Sequence, residues 1–197
     1  MDNFRQLSTD SKCYEIKFLG EGSIDAGGPF RESLTNIASE LEQGVIPLLI
    51  KSPNNKNEHG INRDCFILDS RSKTPAHQFM FKYFGGFLAY SFLSKSPIPL
   101  NLAPWVWKQL LHEQLTLTDL EGIDAYSGQV LRDLQQYASN LSDSDFEAGV
   151  DQCFMTVLSS GEEVPLCEGG ESIQVTKANL DEFIAKVLEA RAKEAAD

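Results

Sequence analysis

Apolar residues recur at helical spacing in the first third of the chain. Steps of three and four residues predict an amphipathic helix over residues 29–43. Its apolar stripe consists of Phe30, Leu34, Ile37 and Leu41. Gly44 follows as the expected C-terminal stop, because glycine readily adopts the left-handed conformation that ends a helix.

The rest of the pattern predicts a mainly helical α+β fold with short strands and a β-hairpin. A polar loop over residues 51–63 contains "KSPNNKNEHG", the segment expected to be most mobile. A last helix is expected to start at Thr176, an N-cap, and to run to about residue 195, with a solvated or frayed tip after Leu188. The other predicted elements are strands over 14–18 and 64–69, an extended run over 46–50, helices over 75–94, 104–112, 116–122 and 123–139, and a hairpin over 153–166.

The predicted helix over residues 75–94 is rich in aromatic residues. They surround the helix instead of forming a stripe, which favours a buried core helix over a ligand-binding box. Gly85 and Gly86 lower helix propensity, so close packing against another helix is their expected purpose.

A glycine-rich loop over residues 20–28 precedes the first helix. Its spacing fits neither nucleotide template, since Asp25 stands where a dinucleotide loop needs glycine, and Gly28 and Pro29 replace the lysine and hydroxyl residue of a P-loop. We therefore expect a structural role, with positive φ or a close backbone approach at Gly27 and Gly28.

The start of the first helix carries charged residues that could pair with this loop. Arg31 and Glu32 lie there, and we expect Arg31 to form a charge-assisted pair with Glu21 or Asp25.

Charge is distributed unevenly along the 197 residues. The net charge is −12, and all of it falls in residues 101–197. An acidic half argues against nucleic acid and anionic membrane as partners, although a plain solvated surface would look the same. Residues 1–12 lack the apolar core of a signal peptide, and Lys82 interrupts the most apolar segment, so we expect a chain with no membrane span in a cytoplasmic or otherwise intracellular location.

The four cysteines, Cys13, Cys65, Cys153 and Cys167, show no metal-binding spacing with each other or with the three histidines. We expect reduced, mostly buried thiols, no metal site and no cofactor.

Several motifs, in the same order along the chain, resemble the HECT domain of ubiquitin-protein ligases, and their residues are most similar to those of HERC-type ligases. They cover about residues 14–188, which leaves 1–13 as an N-terminal extension and 189–197 as a charged, alanine-rich helical tail. The motifs are "GEGSIDAGGPFRE", "SPNNKNEHGINRDCFILD", "FKYFGGFLAYSF", "PLNLAPWVWKQLL", "LTLTDLEGID" and "IQVTKANLDEFI".

The resemblance implies a function that needs parts beyond these motifs. A HECT ligase takes ubiquitin from a conjugating enzyme onto a cysteine of its C-terminal lobe and passes it to a substrate lysine. The motifs match only the large subdomain of the N-terminal lobe, without the subdomain that docks the conjugating enzyme and without the catalytic lobe. The chain is therefore expected to be a scaffold that is inactive alone, in a domain whose partners are a ubiquitin-conjugating enzyme and ubiquitin. The alternative is a stand-alone, non-catalytic binding module for ubiquitin or a partner ligase.

Cys153 with Phe154 imitates the Cys-Phe of the family's catalytic motif. The order of motifs places it in an N-lobe hairpin, and its charged sequence neighbours Asp151, Glu162 and Glu163 are acidic, whereas a reactive thiolate needs a cationic neighbour or a helix N-terminus. We expect no catalytic residue in this chain.

Overall fold

The computed structural model describes residues 28–195, and the fold of these residues is α+β and mainly helical. The helices are α1 (Gly28–Glu42), α2 (Pro53–Asn57), α3 (Pro75–Ser94), α4 (Pro104–Leu110), α5 (Leu117–Glu121), α6 (Ala125–Asn140), α7 (Asp143–Gly149) and α8 (Leu180–Lys193). The strands are β1 (Leu49–Lys51), β2 (Phe66–Leu68), β3 (Met155–Val157) and β4 (Glu163–Pro165), and short 3₁₀ turns occupy Gly170–Ser172 and Lys177–Asn179. The predicted fold class is confirmed.

The described residues fall into two compact units. One consists of residues 28–50 and 72–101, and the other of residues 51–71 and 102–195. Strand β1 begins in the first unit and ends in the second.

The first unit is built on α1 and α3. Phe30 and Leu34 of α1 are buried together with Tyr90 of α3, and the rings of Phe30 and Tyr90 meet edge to face with centroids 5.8 Å apart. Helix α1 gives way to a turn at Gly44, whose φ of +74° is a conformation that glycine adopts without steric cost. The predicted helix and its stop are confirmed within one residue.

Helix α3 has the predicted bounds but not the predicted burial. The Thr74 side chain caps its start by accepting a hydrogen bond from the His77 N–H. Only Phe84 and Tyr90 are fully buried within the described part of the chain. The large apolar side chains that stay exposed are Phe79, Met80, Tyr83, Phe92 and Leu93. The expectation of a buried helix is wrong because apolar residues surround α3, while the described residues of this unit cover only part of its circumference.

The glycine pair in α3 does not show the expected close packing at its first position. A Cβ added to Gly85 would have no described atom within 4 Å. Close packing against a described helix therefore does not explain why glycine stands at this position.

The second unit contains the predicted hairpin. Strands β3 and β4 pair antiparallel with Thr156 opposite Val164, and Gly161 in the turn has φ +90°. Phe154, just before β3, packs edge to face on Phe183 of α8 at 5.4 Å. Leu180, Phe183, Ile184 and Val187 of α8 are buried as well, so this helix turns an apolar stripe toward the core.

Hydrophilic residues cap three helices of this unit, of which α7 was not among the predicted elements. The hydroxyl of Thr116 accepts a bond from the Asp119 N–H and the Asp119 carboxylate accepts one from the Thr116 N–H, which makes a reciprocal capping box for α5. The Asp124 side chain caps α6 through the Ser127 N–H, and Ser142 caps α7.

The polar segment over residues 51–63 was expected to be a loop, and that expectation is wrong for residues 53–57. These residues form helix α2, with Ser52 as its N-cap, and Ser52, Asn54 and Asn55 are buried. Long-range hydrogen bonds described below explain how asparagine side chains become part of a core.

Much of the glycine loop lies outside the described residues. Glu21, Asp25 and Gly27, the proposed Arg31 pair, Cys13 and the strand over 14–18 all depend on residues before Gly28. Gly28 itself opens α1, and a Cβ added there would have no described atom within 4 Å. The structural role expected for this glycine stays a prediction. Arg31 and Glu32 are exposed on α1. Among the helices described, none combines the length and apolar character needed to cross a bilayer.

Candidate functional site

Arg191, near the end of α8, is the most completely buried charged residue of the second unit. Its relative exposure is 0%. The guanidinium donates from Nη1 to the Asp124 carboxylate at 2.9 Å and from Nη2 to the Ser159 hydroxyl at 2.8 Å. Nη1 also reaches the Val157 carbonyl at 3.3 Å. The planar fork of arginine suits this arrangement, because its donors point in fixed directions.

Glu194, one turn further along, completes the cluster. Its carboxylate accepts hydrogen bonds from the backbone N–H of Ser159 at 2.8 Å and from the Ser159 hydroxyl at 2.6 Å. It also lies 3.5 Å from Nε of Arg191, an ion pair without hydrogen-bond geometry. Lys56 of α2 donates to the Ser159 carbonyl at 3.0 Å, so two cations and two anions meet around one hairpin residue.

The cluster joins elements that are distant in sequence. Asp124 is the N-cap of α6, Ser159 lies between β3 and β4, and Arg191 and Glu194 belong to the last turn of α8 and its cap. The expectation of a solvated or frayed tip after Leu188 is therefore wrong. One sequence signal could have predicted the burial of Arg191, which follows the buried Val187 by four residues on the same helix face. A charged residue at such a position is normally expected to be exposed to solvent.

This arrangement suits structural fixation better than chemistry. Arginine stays protonated, so it cannot transfer a proton, and both carboxylates are held by several donors. The Ser159 hydroxyl bonds to Arg191 and Glu194, and among the described residues no imidazole or amine is hydrogen-bonded to it. We interpret the cluster as a clamp, since breaking a buried ion pair leaves an uncompensated charge.

Asn54 makes a second buried connection. Its Nδ2 donates to the Ile61 carbonyl at 3.0 Å and to the Glu121 carbonyl at 2.9 Å, while its Oδ1 accepts from the Ala125 N–H at 2.7 Å. Gly60, with φ +77°, passes so close that an added Cβ would lie 2.7 Å from Cβ of Ala125. Helix α2 is thereby fixed to the junction of α5 and α6. The sequence alone did not reveal this connection, because Glu121 and Ala125 lie about 70 residues from Asn54 along the chain.

The cysteines of the described region are free thiols. Cys65, Cys153 and Cys167 are half-buried, so the expectation of mostly buried thiols is too strong. Burial raises the pKa of the Cys65 thiol, and the neighbouring Asp64 carboxylate raises it further, which keeps this sulfur protonated at neutral pH. Cys153 stands at an isolated antiparallel bridge with Gln174, not at a helix N-terminus. That Cys153 is not catalytic stays a prediction.

An apolar groove marks the first unit, between α1 and α3. Its volume is about 480 Å³, and its lining is aliphatic and aromatic, with the Tyr83 hydroxyl as the one side-chain polar group. Among the described residues, its lining contains no histidine, cysteine, lysine or carboxylate. Within residues 28–195, no group of three or more histidine, cysteine or acidic residues is arranged to hold a metal ion.

Comparison with known proteins gives this fold its family. A family model described as "HECT-domain (ubiquitin-transferase)" matches residues 37–197. The chain belongs to the HECT domain family. The match confirms the resemblance carried by the sequence motifs, and it includes the residues of the buried clamp.

Relatives with the same domain are much longer proteins. The chain is 33% identical over 183 residues to human E3 ubiquitin-protein ligase HERC2, which covers 93% of this chain and 4% of HERC2. It is 26% identical over 176 residues to E3 ubiquitin-protein ligase TOM1 of Saccharomyces cerevisiae, with 89% of the chain and 5% of TOM1 covered. Human probable E3 ubiquitin-protein ligase HECTD4 is 25% identical over 203 residues, with 92% of the chain and 5% of that protein covered. This HECT-family chain thus spans about one twentieth of the length of these relatives.

Proposed function

We propose that this chain supplies the N-lobe scaffold of a HECT-type ubiquitin-protein ligase. In the complete domain, a ubiquitin-conjugating enzyme delivers ubiquitin to a cysteine that is not among the four of this chain. The large subdomain holds the conjugating-enzyme docking part and the catalytic lobe in place, and it performs none of the bond-making steps. The partners of the complete domain are the conjugating enzyme and ubiquitin.

The environment of Cys153 is the observation that carries this proposal. Its neighbour Phe154 is a core residue packed on α8, and the Cys153 carbonyl accepts a bond from the Gln152 side chain. A ubiquitin-accepting sulfur must be accessible and ionised, which requires nearby positive charge or a helix N-terminus. No described basic side chain bonds or pairs with Cys153, so the Cys-Phe pair of the hairpin serves packing.

A graft tests the scaffold role directly. Residues 37–197 replace the matching segment in the HECT domain of human HERC2, and the chimera is incubated with activating enzyme, conjugating enzyme and ubiquitin. The proposal expects the chimera to form a reductant-sensitive ubiquitin conjugate, because the segment supplies support and the rest of the domain supplies the chemistry. The control is the same chimera with its C-lobe cysteine changed to serine, which should carry no ubiquitin.

The opposite outcome is equally clear. A chimera that is folded by circular dichroism and thermal melting, yet forms no conjugate, would contradict the scaffold role. The Arg191→Ala version of the graft adds an internal check, because loss of the clamp should lower both the melting temperature and the conjugate yield.

A further inference from the structure

A second groove lies in the other unit, between α6, the hairpin and α8. Its floor is formed by Leu131 and Leu134 of α6 together with Phe183 and Val187 of α8. Its volume is about 170 Å³. A cavity of about 150 Å³ is large enough to bind benzene, so this groove has room for one large apolar side chain.

The rim of the groove continues into an exposed apolar stripe on α6. Tyr126, Val130 and Tyr137 follow at steps of four and seven residues, so they lie on one face of the helix, and Leu141 follows as its extended C-cap residue. All are exposed, Tyr126 to 76%. Val157 of the hairpin adds an exposed apolar side chain to the opposite wall. Contiguous exposed apolar surface of this kind indicates an interaction site.

The chain segment that includes the second half of α6 and the hairpin is acidic. The segment from residue 133 to residue 176 contains nine acidic residues and no lysine, arginine or histidine. These acids are Asp133, Asp143, Asp145, Glu147, Asp151, Glu162, Glu163, Glu168 and Glu171, and all except Asp133 are exposed.

The cations that flank this segment are already engaged. Arg132 pairs with Glu121, and Lys177 pairs with Asp143 and bonds the Leu141 carbonyl. Glu163 lines the groove and has no ion pair with a described residue. The charged residue that lines the groove is therefore an acid without an ion-pair partner among the described residues.

Charge decides between possible occupants. A second copy of this chain carries the same net charge of −12 and would bring acid against acid. Residues 1–27 contain five acids and three bases, so they also bring no excess positive charge. A segment with excess lysine or arginine complements the rim, and a large apolar side chain fills the groove.

We propose that the groove between α6, the β3–β4 hairpin and α8 docks a basic segment of a partner protein, in which lysines or arginines flank one large apolar anchor. The anchor enters the space above Leu134 and Phe183, and the flanking cations lie against Glu163 and the acidic hairpin. The apolar anchor supplies most of the affinity, and the charges supply orientation and rate of encounter. This site is separate from the scaffold function and does not depend on it.

A random peptide library tests the chemistry without a known partner. The intact chain is immobilised and selected against displayed 12-residue peptides in about 50 mM salt. The proposal expects enrichment of peptides with net positive charge and a leucine, methionine or aromatic residue between the cations. Enrichment of neutral or acidic peptides, or no enrichment, would overturn it.

Matched variants then locate the binding. An enriched peptide is synthesised with a fluorophore and titrated by polarisation against wild type, Glu163→Lys and Glu113→Lys. Both variants change the net charge equally, but Glu113 does not line the groove. We expect Glu163→Lys to weaken binding by about tenfold and Glu113→Lys by less than about twofold, because screening confines the effect to nearby charges.

A substitution in the apolar wall covers the case in which the charge variant does not fold. Val130→Ser removes part of the rim at a partly exposed position and should weaken binding several-fold without changing the circular dichroism spectrum. Equal loss in Glu163→Lys and Glu113→Lys, or full binding by folded Val130→Ser and Glu163→Lys, would show that the peptide binds elsewhere and would refute the proposal.

Discussion

At the scale of single residues, burial decides what an ion pair contributes. Arg191 and Arg132 each pair with a carboxylate, yet the Arg191 side chain is fully buried and that of Arg132 is half exposed. An exposed ion pair contributes little to the free energy of unfolding, because water and salt screen the attraction between its charges. The removal of a buried cation leaves its anions desolvated and unpaired, which is a much larger loss.

Arg191→Ala should therefore destabilise the protein by about 3–5 kcal/mol, because Asp124 and Glu194 lose their shared cation inside the core. Urea denaturation followed by circular dichroism measures the change. Arg132→Ala is the matched control and should leave the unfolding midpoint nearly unchanged. Equal midpoints for Arg191→Ala and wild type would mean that the clamp does not hold this unit together.

Asp69 shows how a neighbour reverses the effect of burial. Burial alone would raise the pKa of its carboxyl, but hydrogen bonds from the Arg71 side chain and backbone, with the Arg71 charge, hold that pKa below its usual range. The folded protein therefore binds this proton less readily than the unfolded chain does. The stabilisation is present above the ordinary carboxyl pKa of about 4 and is lost as the pH falls through the lowered folded value.

Arg71→Gln should consequently lower stability most at neutral pH, and the difference from wild type should shrink as the pH falls below about 4. Unfolding midpoints between pH 7 and pH 2 test this. Lys73→Gln removes the same charge two residues away and should show a difference that varies little across the range. A difference for Arg71→Gln that grows toward low pH would contradict the assigned direction.

At the scale of elements, α2 is held by side chains more than by its own length. A helix of five residues has little intrinsic stability, because its few hydrogen bonds do not offset the entropy that is lost in nucleating the first turn. Ser52 caps it, and Asn54 ties it to both sides of the α5–α6 junction. The element exists because of these connections.

Asn54→Ala should thus cost about 1–3 kcal/mol, since it leaves partly buried backbone groups of Glu121 and Ala125 without their partner. Asn57→Ala, an exposed position of the same helix, is the control and should be nearly neutral. Thermal melting and amide hydrogen exchange at Ala125 report the effect. Similar melting temperatures for the two variants would exclude the proposed lock.

Sequence patterns predicted those elements that are stabilised by residues close to them along the chain. Thr74 fixes the start of α3, because its side chain caps the first turn. Thr176, the expected start of the last helix, precedes the 3₁₀ turn Lys177–Asn179, and α8 itself begins at Leu180. The burial of Asn54 and Arg191 could not be read in this way, since their partners lie about 67 residues away along the chain. The exposed apolar face of α3 shows another limit of sequence-based prediction. An apolar pattern indicates that a surface can be buried, but it does not show which residues would cover it.

At the scale of the whole molecule, stability and interaction surfaces occupy different positions. The clamp and the Asn54 lock use buried polar groups to fix the second unit, while the same unit presents an acidic, partly apolar surface to solvent. Neither feature brings a nucleophile, a base and an oxyanion site together in the described residues. This distribution agrees with the scaffold role proposed for this HECT-family chain.

The most direct test of this account is a charging assay on the intact chain. The protein is incubated with activating enzyme, a panel of conjugating enzymes, ubiquitin and ATP, and the products are separated on a non-reducing gel beside an active HECT ligase. We predict no ubiquitin conjugate that disappears on reduction, for the wild type and for single serine variants of Cys13, Cys65, Cys153 and Cys167. A reductant-sensitive band one ubiquitin heavier than the chain, lost in one of those variants, would contradict the account and identify that cysteine as a nucleophile.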